Sequence, residues 1–385
     1  MKFFYTSLIA LLFSSGVSAA AYTTHSFSFG GVTRQYLLYV PSAYNGSQAY
    51  PFVMALHGLG DNMNNFKNIN MNLVADTAHF ILAFPQALVD SVLTFSTAWN
   101  SGAGEFGITL NPNVDDVGFL NALIDTISAN YNVDQTRIYS TGFSMGGFMS
   151  NRLACELNNR IAAIASVSGT IGNGITCAPS RDIAVAHFHG TADQTVNYTG
   201  NPFGDDPEAM VAYWVHHNHC DSVPASIDTF PNISNDGKVV VHYKYPNGNY
   251  DTKVEFFKVI GGAHEWLGPT GNDINYAVEI WRFLYQFHWE DQVSGIRNVG
   301  SSEDALVNVY PNPAWRVVNV QLPASNTESV AIKLLDATGK LVYAHIHQAL
   351  NGNITVQLPP LSAGIYMMQI NSNGNYFSKK IILSE

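Results

Sequence analysis

Gly142-Phe143-Ser144-Met145-Gly146-Gly147 decides how this chain is read. It follows an apolar, β-branched run, Arg137–Thr141. It opens Met145–Leu157, whose apolar residues recur at helical spacing. A serine on a sharp strand-to-helix turn is lifted above the sheet edge on strained backbone. Gly142 and Gly146 carry no Cβ, so strand and helix can approach closely. The helix N-terminus beneath Ser144 presents amide donors to an anion forming there. A bare G-x-S-x-G arises often by chance. The strand before it, the helix after it and the extra Gly147 argue for a nucleophilic serine over a plain glycine-rich turn.

Outward from this turn the texture is repetitive. Pro51–Leu56, Phe80–Phe84, Ile161–Val167, Ile183–Phe188 and Val254–Ile260 are short, continuous apolar runs, as strands buried on both faces require. Helical patterns lie between them. Asp115-Asp116 caps one with the stripe Phe119, Leu120, Leu123, Ile124 and Ile127; others are Met145–Leu157, Asp206–His217 and Asp273–His288. This alternation predicts an α/β fold with a mostly parallel central sheet over residues 22–290. His25–Phe29 and Arg34–Val40 flank Gly30-Gly31 and read as an antiparallel pair. Gln86–Asn113 and Thr191–Asp205 lack a pattern and are read as long loops, either functional or ordinary surface insertions. The pattern stops near Trp289, and 291–303 reads as a linker. From Val307 to Ile382 seven short alternating segments, separated by turn signals such as Pro311-Asn312-Pro313 and Asn373-Gly374, predict a small antiparallel β-sandwich over 304–385.

A nucleophilic serine needs a base, and the base needs an orienting acid. On this kind of sheet the chain order is Ser, acid, His. Ile183–Phe188 runs into His189-Gly190-Thr191-Ala192-Asp193, which puts Asp193 just past a strand's C-terminal end, where such sheets gather their sites. Asp205 and Asp206 read as helix-start residues and Asp221 as a helix-end residue, so Asp193 is favoured as the acid. Of His216, His217, His219, His242, His264 and His288, His264 is favoured as the base. It sits in Gly261-Gly262-Ala263-His264-Glu265-Trp266, directly after a strand. The oxyanion donors expected are the amides of Met145, after the nucleophile, and Leu59, in His57-Gly58-Leu59-Gly60. His57 reads as a loop organiser. Trp99 and Trp266 fall in loops flanking the site and are expected to line an acyl or aromatic pocket, with plain packing the competing reading. His216, His217 and His219 cluster, but no third-element ligand accompanies them, and cationic side chains suit a helix C-terminus. No metal or cofactor is expected.

Composition narrows the function. Lys plus Arg is 18 and Asp plus Glu is 29, a net charge of −11, with 46% apolar and 12% charged residues. There is no basic surplus to release counterions from nucleic acid, and the apolar share excludes intrinsic disorder. Residues 304–385 hold five basic and four acidic side chains, so the acidic character belongs to the first part. Met1-Lys2, the apolar run Phe3–Phe13 and Val17-Ser18-Ala19-Ala20-Ala21 form an export signal over 1–21. No later segment is long and apolar enough to read as a membrane anchor. Export allows a disulfide among Cys155, Cys177 and Cys220; Cys177–Cys220 is the expected pair, with Cys155 a packed helix thiol.

With these residues in place, residues 22–290 resemble the secreted polyhydroxybutyrate depolymerase and feruloyl esterase group of the α/β-hydrolase superfamily, near carbohydrate esterase family one. The residues that carry this are Ala55-Leu56-His57-Gly58, Ala98-Trp99-Asn100, Asp116-Val117-Gly118-Phe119, Gly142–Gly147, His189–Asp193 and Gly261–Trp266. The resemblance implies Ser144, Asp193 and His264 as the triad. Residues from about 305 onward resemble the C-terminal sorting domain of type IX secretion substrates, through Val309–Pro313, Asp336–Lys340, Leu361–Tyr366 and Lys379-Lys380. That implies the type IX machinery as a partner, passage through the periplasm to the cell surface or medium, and removal of the domain on delivery. The expected function is a secreted serine ester hydrolase releasing feruloyl or acetyl groups from plant polysaccharides. A polyester depolymerase is the alternative. A peptidase and a non-catalytic binding protein are weaker ones.

Overall fold

The structure is a computed structural model that describes residues 21–91, 93–106, 108–289, 307–322, 329–336, 340–349, 352–372 and 375–384. The expected export signal, but for Ala21, and the expected linker lie outside the described residues. The chain divides into two compact units, Met1–Gln292 and Val293–Glu385.

In the first unit β1 (Ala21–Phe29) and β2 (Val32–Val40) precede β3 (Tyr50–Leu56). Helices α1 (Met63–Phe66) and α2 (Met71–Ala78) lead to β4 (Ile81–Pro85) and the two-residue strands β5 (Gly104–Glu105) and β6 (Ile108–Thr109). Then come α3 (Asp116–Asn130), β7 (Val133–Phe143), α4 (Met145–Glu156), β8 (Ala163–Val167) and β9 (Ala184–Gly190). The unit closes with α5 (Pro207–His217), β10 (Ser226–Thr229), β11 (Val239–Tyr245), β12 (Val254–Ile260) and α6 (Tyr276–Leu284). The strands build a 10-stranded sheet ordered β1-β2-β4-β3-β7-β8-β9-β12-β11-β10. The run from β4 to β12 is parallel, and an antiparallel pair flanks each end.

Burial explains the continuous apolar strands. Leu38, Phe52 and Met54 face one core with α3, α4 and α5. Their chain neighbours Leu37, Val53 and Ala55 face a second core with α2 and α6. Both faces are covered, so every residue of β3, β4, β8 and β9 is buried. Two features escaped sequence reading. The 62–78 stretch is rich in Asn and shows no stripe, yet Asn62 caps α1 by accepting from the Asn64 and Asn65 amides. The β10–β11 hairpin extends the sheet, with β10 mostly exposed and β11 half-buried but for the buried Val240 and His242.

A buried ion pair ties the antiparallel edge to the helical layer. Arg34 on β2 lies 2.7 Å from Asp116 on α3, and both are almost fully buried. Asp116 Oδ2 also accepts the Asn100 amide at 2.7 Å, while Arg152 on α4 donates to Asn100 O and Oδ1. Burial pushes the Asp116 carboxyl up, against the pull of Arg34 and the Asn100 amide. The loop carrying Trp99 is therefore held by α3 and α4 together.

The second unit holds the sheets β13-β14-β17 and β16-β15-β18-β19. Their strands are β13 (Asn308–Tyr310), β14 (Val317–Gln321), β15 (Ser329–Leu335), β16 (Leu341–Gln348), β17 (Asn353–Gln357), β18 (Gly364–Ser372) and β19 (Asn375–Leu383). Val318, Val320, Ile354 and Val356 from the first sheet share one core with Ile332, Leu334, Met368 and Ile370 from the second. Asn312, between its two prolines, clips this unit's edge: its amide donates to Lys380 O and its carbonyl accepts from Ile382 N.

The expected cysteine pairing is corrected. Cys155, in the last turn of α4, is bonded to Cys177, with Cα atoms 5.0 Å apart, and Cys220 is free and buried. The end of α4 faces the loop after β8, whereas Cys220, just past α5, lies against the 248–252 turn, its Sγ 3.9 Å from Thr252 O. Sequence spacing does not show which way α5 ends.

Three measurements check these links. Unfolding without reductant should expose one reactive thiol, at Cys220, and labelling of Cys155 or Cys177 would contradict the pairing. Replacing both bridged cysteines by Ala should cost about 3 kcal/mol in urea unfolding. Asp116→Ala leaves Arg34 buried without its carboxylate and should cost about 3–5 kcal/mol; a loss within experimental error of zero would remove the pair as a tie.

Candidate active site

Ser144 joins β7 to α4 with φ 54° and ψ −122°. For a residue with a Cβ this conformation costs of order 1–3 kcal/mol and persists only where packing over-determines it. Here packing does. A Cβ on Gly146 would lie 2.0 Å from Leu56 O, so α4 starts hard against the end of β3. Ser144 N–H donates to Val167 O at 2.8 Å, pinning the turn to β8. Ser144 O accepts from the Gly147 and Phe148 amides, which begins the helix. Gly58 sits over the serine, within 3.4 Å of Ser144 Cβ for any added methyl group. The Leu59 amide is the next group along.

Asp193 and His264 hang from neighbouring strands, β9 and β12. Their loops are stitched together: Ala192 N–H donates to Gly262 O at 2.8 Å and Gly261 N–H to Thr191 Oγ1 at 2.9 Å. Gly190 is required at the crossing, because its Cβ would meet Gly262 O at 2.2 Å. Asp193 Oδ2 lies 2.7 Å from His264 Nδ1, and Oδ1 accepts the Thr195 and Val196 amides at 2.8 and 2.9 Å. Burial raises the Asp193 carboxyl, but the His264 hydrogen bond and these two amides outweigh it and hold it below its usual value. Of the four carboxylates weighed from sequence, Asp193 is the one at hydrogen-bond distance from His264. Asp206 instead accepts Asn201 N–H, and Asp221 accepts from Asn247.

Ser144, Met145 and His264 open on one cavity of about 640 Å³ with Gly58 and Leu59. No hydrogen bond joins Ser144 to His264 among the described residues; Phe143 packs on the imidazole, ring centres 4.7 Å apart. His57 is a loop organiser. Its Nε2 accepts from Ala87 N–H at 3.1 Å, which makes Nδ1 the protonated nitrogen that donates to Gly58 O at 2.8 Å. Across a trans peptide, fixing Gly58 O one way aims Leu59 N–H the other.

The two tryptophans expected on the pocket wall are elsewhere. Trp99 is fully buried; its indole N–H donates to His57 O at 2.9 Å and its amide to Met145 Sδ at 3.3 Å. It braces the floor from behind. Trp266 packs edge-on against Phe66 and Tyr276. An indole in a loop near a site reads as lining, but the buried His57 carbonyl, which needs a donor, draws Trp99 inward, whereas Trp266 is held by ring packing, its indole nitrogen having no hydrogen-bond partner among the described residues. Phenylalanines line the cavity instead: Phe106, Phe143, Phe148 and Phe203. Of these Phe106 is 92% exposed, on the β5–β6 hairpin. The clustered histidines lie on α5 and just beyond it. His217 stacks on Tyr213 and His219 Nδ1 accepts from Asn249. Among the described residues no group of three metal-capable side chains occurs.

Residues 43–202 match the phospholipase/carboxylesterase family model, and residues 308–384 match the secretion system C-terminal sorting domain. A bifunctional acetylxylan esterase/xylanase of Neocallimastix patriciarum is 26% identical over 273 residues, 71% of this chain and 36% of its own length. Feruloyl esterase D of Neurospora crassa is 28% identical over 271 residues, 69% of this chain and 86% of its own. The chain thus spans about a third of the first relative and most of the second. An acetyl xylan esterase from Aspergillus awamori superposes with a TM-score of 0.47 at 15% identity, over 68% of this chain and 99% of its own. A sorting domain of this kind marks secretion or cell-surface delivery, and no helix among the described residues is long and apolar enough to cross a membrane. The first unit thus carries a match to a phospholipase/carboxylesterase model over residues 43–202 on a helix-covered mixed sheet, and the second a match to a secretion-system C-terminal sorting domain over residues 308–384.

Proposed function

We propose that the protein is a secreted serine esterase that releases feruloyl or acetyl groups from plant polysaccharides. The observation that carries this reading is the 2.7 Å His264–Asp193 pair opening on the same cavity as a backbone-strained Ser144. Ser144 Oγ attacks the ester carbonyl carbon while His264 Nε2 takes its proton. Asp193 keeps the Nδ1 proton in place and stabilises the imidazolium. The Met145 and Leu59 amides, which make no protein hydrogen bond among the described residues, receive the negative charge on the carbonyl oxygen. His264 returns the proton to the leaving alkoxide. Water, deprotonated by His264, then attacks the acyl carbon, and His264 returns that proton to Ser144 Oγ as the bond to the acyl group breaks and the acid leaves.

The substrate class is supported by the cavity and by the relatives. Its volume suits an aromatic acid, and Phe148 and Phe203 give it flat apolar walls. The relatives' names, acetylxylan esterase and feruloyl esterase, both describe esters of plant polysaccharides. A polymer-linked substrate suits a cavity whose mouth is open and carries exposed Leu59 and Phe106. The catalytic domain is assigned to 22–290, the linker to 291–303 and the sorting domain to 304–385, with the type IX machinery as its partner.

Ser144→Ala should lower kcat on p-nitrophenyl acetate roughly 10⁶-fold, and Asp193→Asn roughly 10⁴-fold. Residual turnover near wild type in Ser144→Ala would remove the reading. Phe203→Ala should reduce kcat/KM for methyl ferulate about tenfold or more and leave p-nitrophenyl acetate within about threefold. Equal losses on both esters would move the aromatic acyl group out of this pocket.

A further inference from the structure

Behind the Asp193–His264 pair lies a chain of fully buried polar side chains to which the mechanism above gives no role. Ser166 on β8 and His187 and His189 on β9 have no solvent exposure. Ser166 Oγ is 2.7 Å from His187 Nδ1, His187 Nε2 is 3.1 Å from His189 Nδ1, and His189 Nε2 is 2.8 Å from Val196 O. His189 Nε2 also lies 3.5 Å from Asp193 Oδ2.

The direction of this chain is fixed at one end. Val196 O can only accept, so His189 Nε2 carries a proton and donates it there. Burial drives both imidazoles toward the neutral form, so each holds one proton. His189 Nδ1 is then an acceptor, His187 Nε2 its donor and His187 Nδ1 an acceptor. The Ser166 hydroxyl must donate to it. Each link permits a single arrangement once the Val196 end is set. His189 Nε2–H therefore points at the Val196 carbonyl and, secondarily, along the Asp193 carboxylate. That same short turn supplies the Thr195 and Val196 amides that grip the other carboxylate oxygen.

We propose that His189 is a positioning residue for the esterase reaction. Through Val196 O it locks the 193–196 turn, and with it the angle at which Asp193 meets His264 Nδ1. His187 and Ser166 serve as the backing that keeps the His189 proton on Nε2. This inference rests on Asp193 and His264 acting as proposed above. The strand position alone would accept any buried apolar residue; two adjacent buried imidazoles are costly unless each is fully hydrogen-bonded. Tyr198 packs edge-on to His189 and Phe256 stacks on His187, so apolar neighbours close the chain at its sides.

The test compares His189→Leu, His189→Gln and Ser166→Ala in the full chain, with Ser144→Ala as reference. Kinetics use p-nitrophenyl acetate, and the downfield proton NMR signal of the His264 Nδ1–H···Asp193 bond is followed. Leu can neither accept from His187 nor donate to Val196 O. It should lower kcat roughly ten- to a hundredfold, the range for a small misplacement of a catalytic group, with KM within about twofold, and shift or broaden the proton signal. Gln can do both, through Oε1 and Nε2, and should recover most of kcat and the signal. Ser166→Ala should give a smaller loss of kcat in the same direction, and it decides the matter if His189→Leu does not fold. Wild-type kcat and proton signal in folded His189→Leu, equal losses in Leu and Gln, or an unaltered Ser166→Ala where Leu is unfolded, would each overturn the inference. An active Ser144→Ala would instead bring down the triad on which it rests.

Discussion

The close crossing of β3, β7 and α4 at the Ser144 turn is the constraint on which the rest depends. Gly146 has no room for a methyl group against Leu56 O, and Ser144 is held at φ 54° by that crowding. Relaxing the crossing would let the serine fall back into ordinary backbone and turn its hydroxyl off the sheet edge. The cost is local, of order 1–3 kcal/mol, and both cores help to offset it. Helices cover each face, and the parallel strands β3, β7, β8, β9 and β12 lie side by side. The groups that converge on the cavity come from the C-terminal ends of four of these five strands. Rigid strands set their spacing, and short stitched loops set their angle.

Two buried polar systems back that geometry from opposite sides. On the β3 side, Asp116 links Arg34 to the Asn100 amide, and Trp99 in turn braces His57 O and Met145. On the β9 side, the Ser166–His187–His189 chain ends at the turn that grips Asp193. In both, a buried charged or imidazole group is held by hydrogen bonds to its neighbours, which offsets the roughly 1–3 kcal/mol that an unpartnered one costs, although Arg34 Nε itself has no partner among the described residues. The motifs Ala98-Trp99-Asn100, Asp116-Val117-Gly118-Phe119 and His189–Asp193 thus have physical content. They are the partners of a loop, a helix start and a carboxylate.

Sequence reading reached the α/β architecture, the antiparallel first pair and all seven strands of the second unit, because period-2 and buried-run patterns survive in composition. That Ser144, Asp193 and His264 come together was legible for a different reason, their places relative to strand ends. What failed shared one feature, dependence on long-range packing. Trp99 and Trp266 looked like pocket walls because they lie in loops, but the carbonyl of His57 and the rings of Phe66 and Tyr276 claim them. The cavity's phenylalanines were invisible, since Phe106 and Phe203 sit in unpatterned segments. The disulfide depended on where α4 and α5 end in space. The Asn-rich 62–78 stretch gave no stripe, although Met71 and Ala75 pack fully into the second core. His187 read as part of an apolar strand and His189 as the residue just past it, and nothing local marks the two imidazoles as a hydrogen-bonded chain.

The most direct test of the central claim is covalent labelling of the native protein with an alkyl fluorophosphonate, located by peptide mass spectrometry. If His264 activates Ser144 as proposed, the native protein should take up a single label, at Ser144. The label should be lost in His264→Ala and after unfolding. Labelling at another serine, or at Ser144 with equal speed in His264→Ala, would contradict the account.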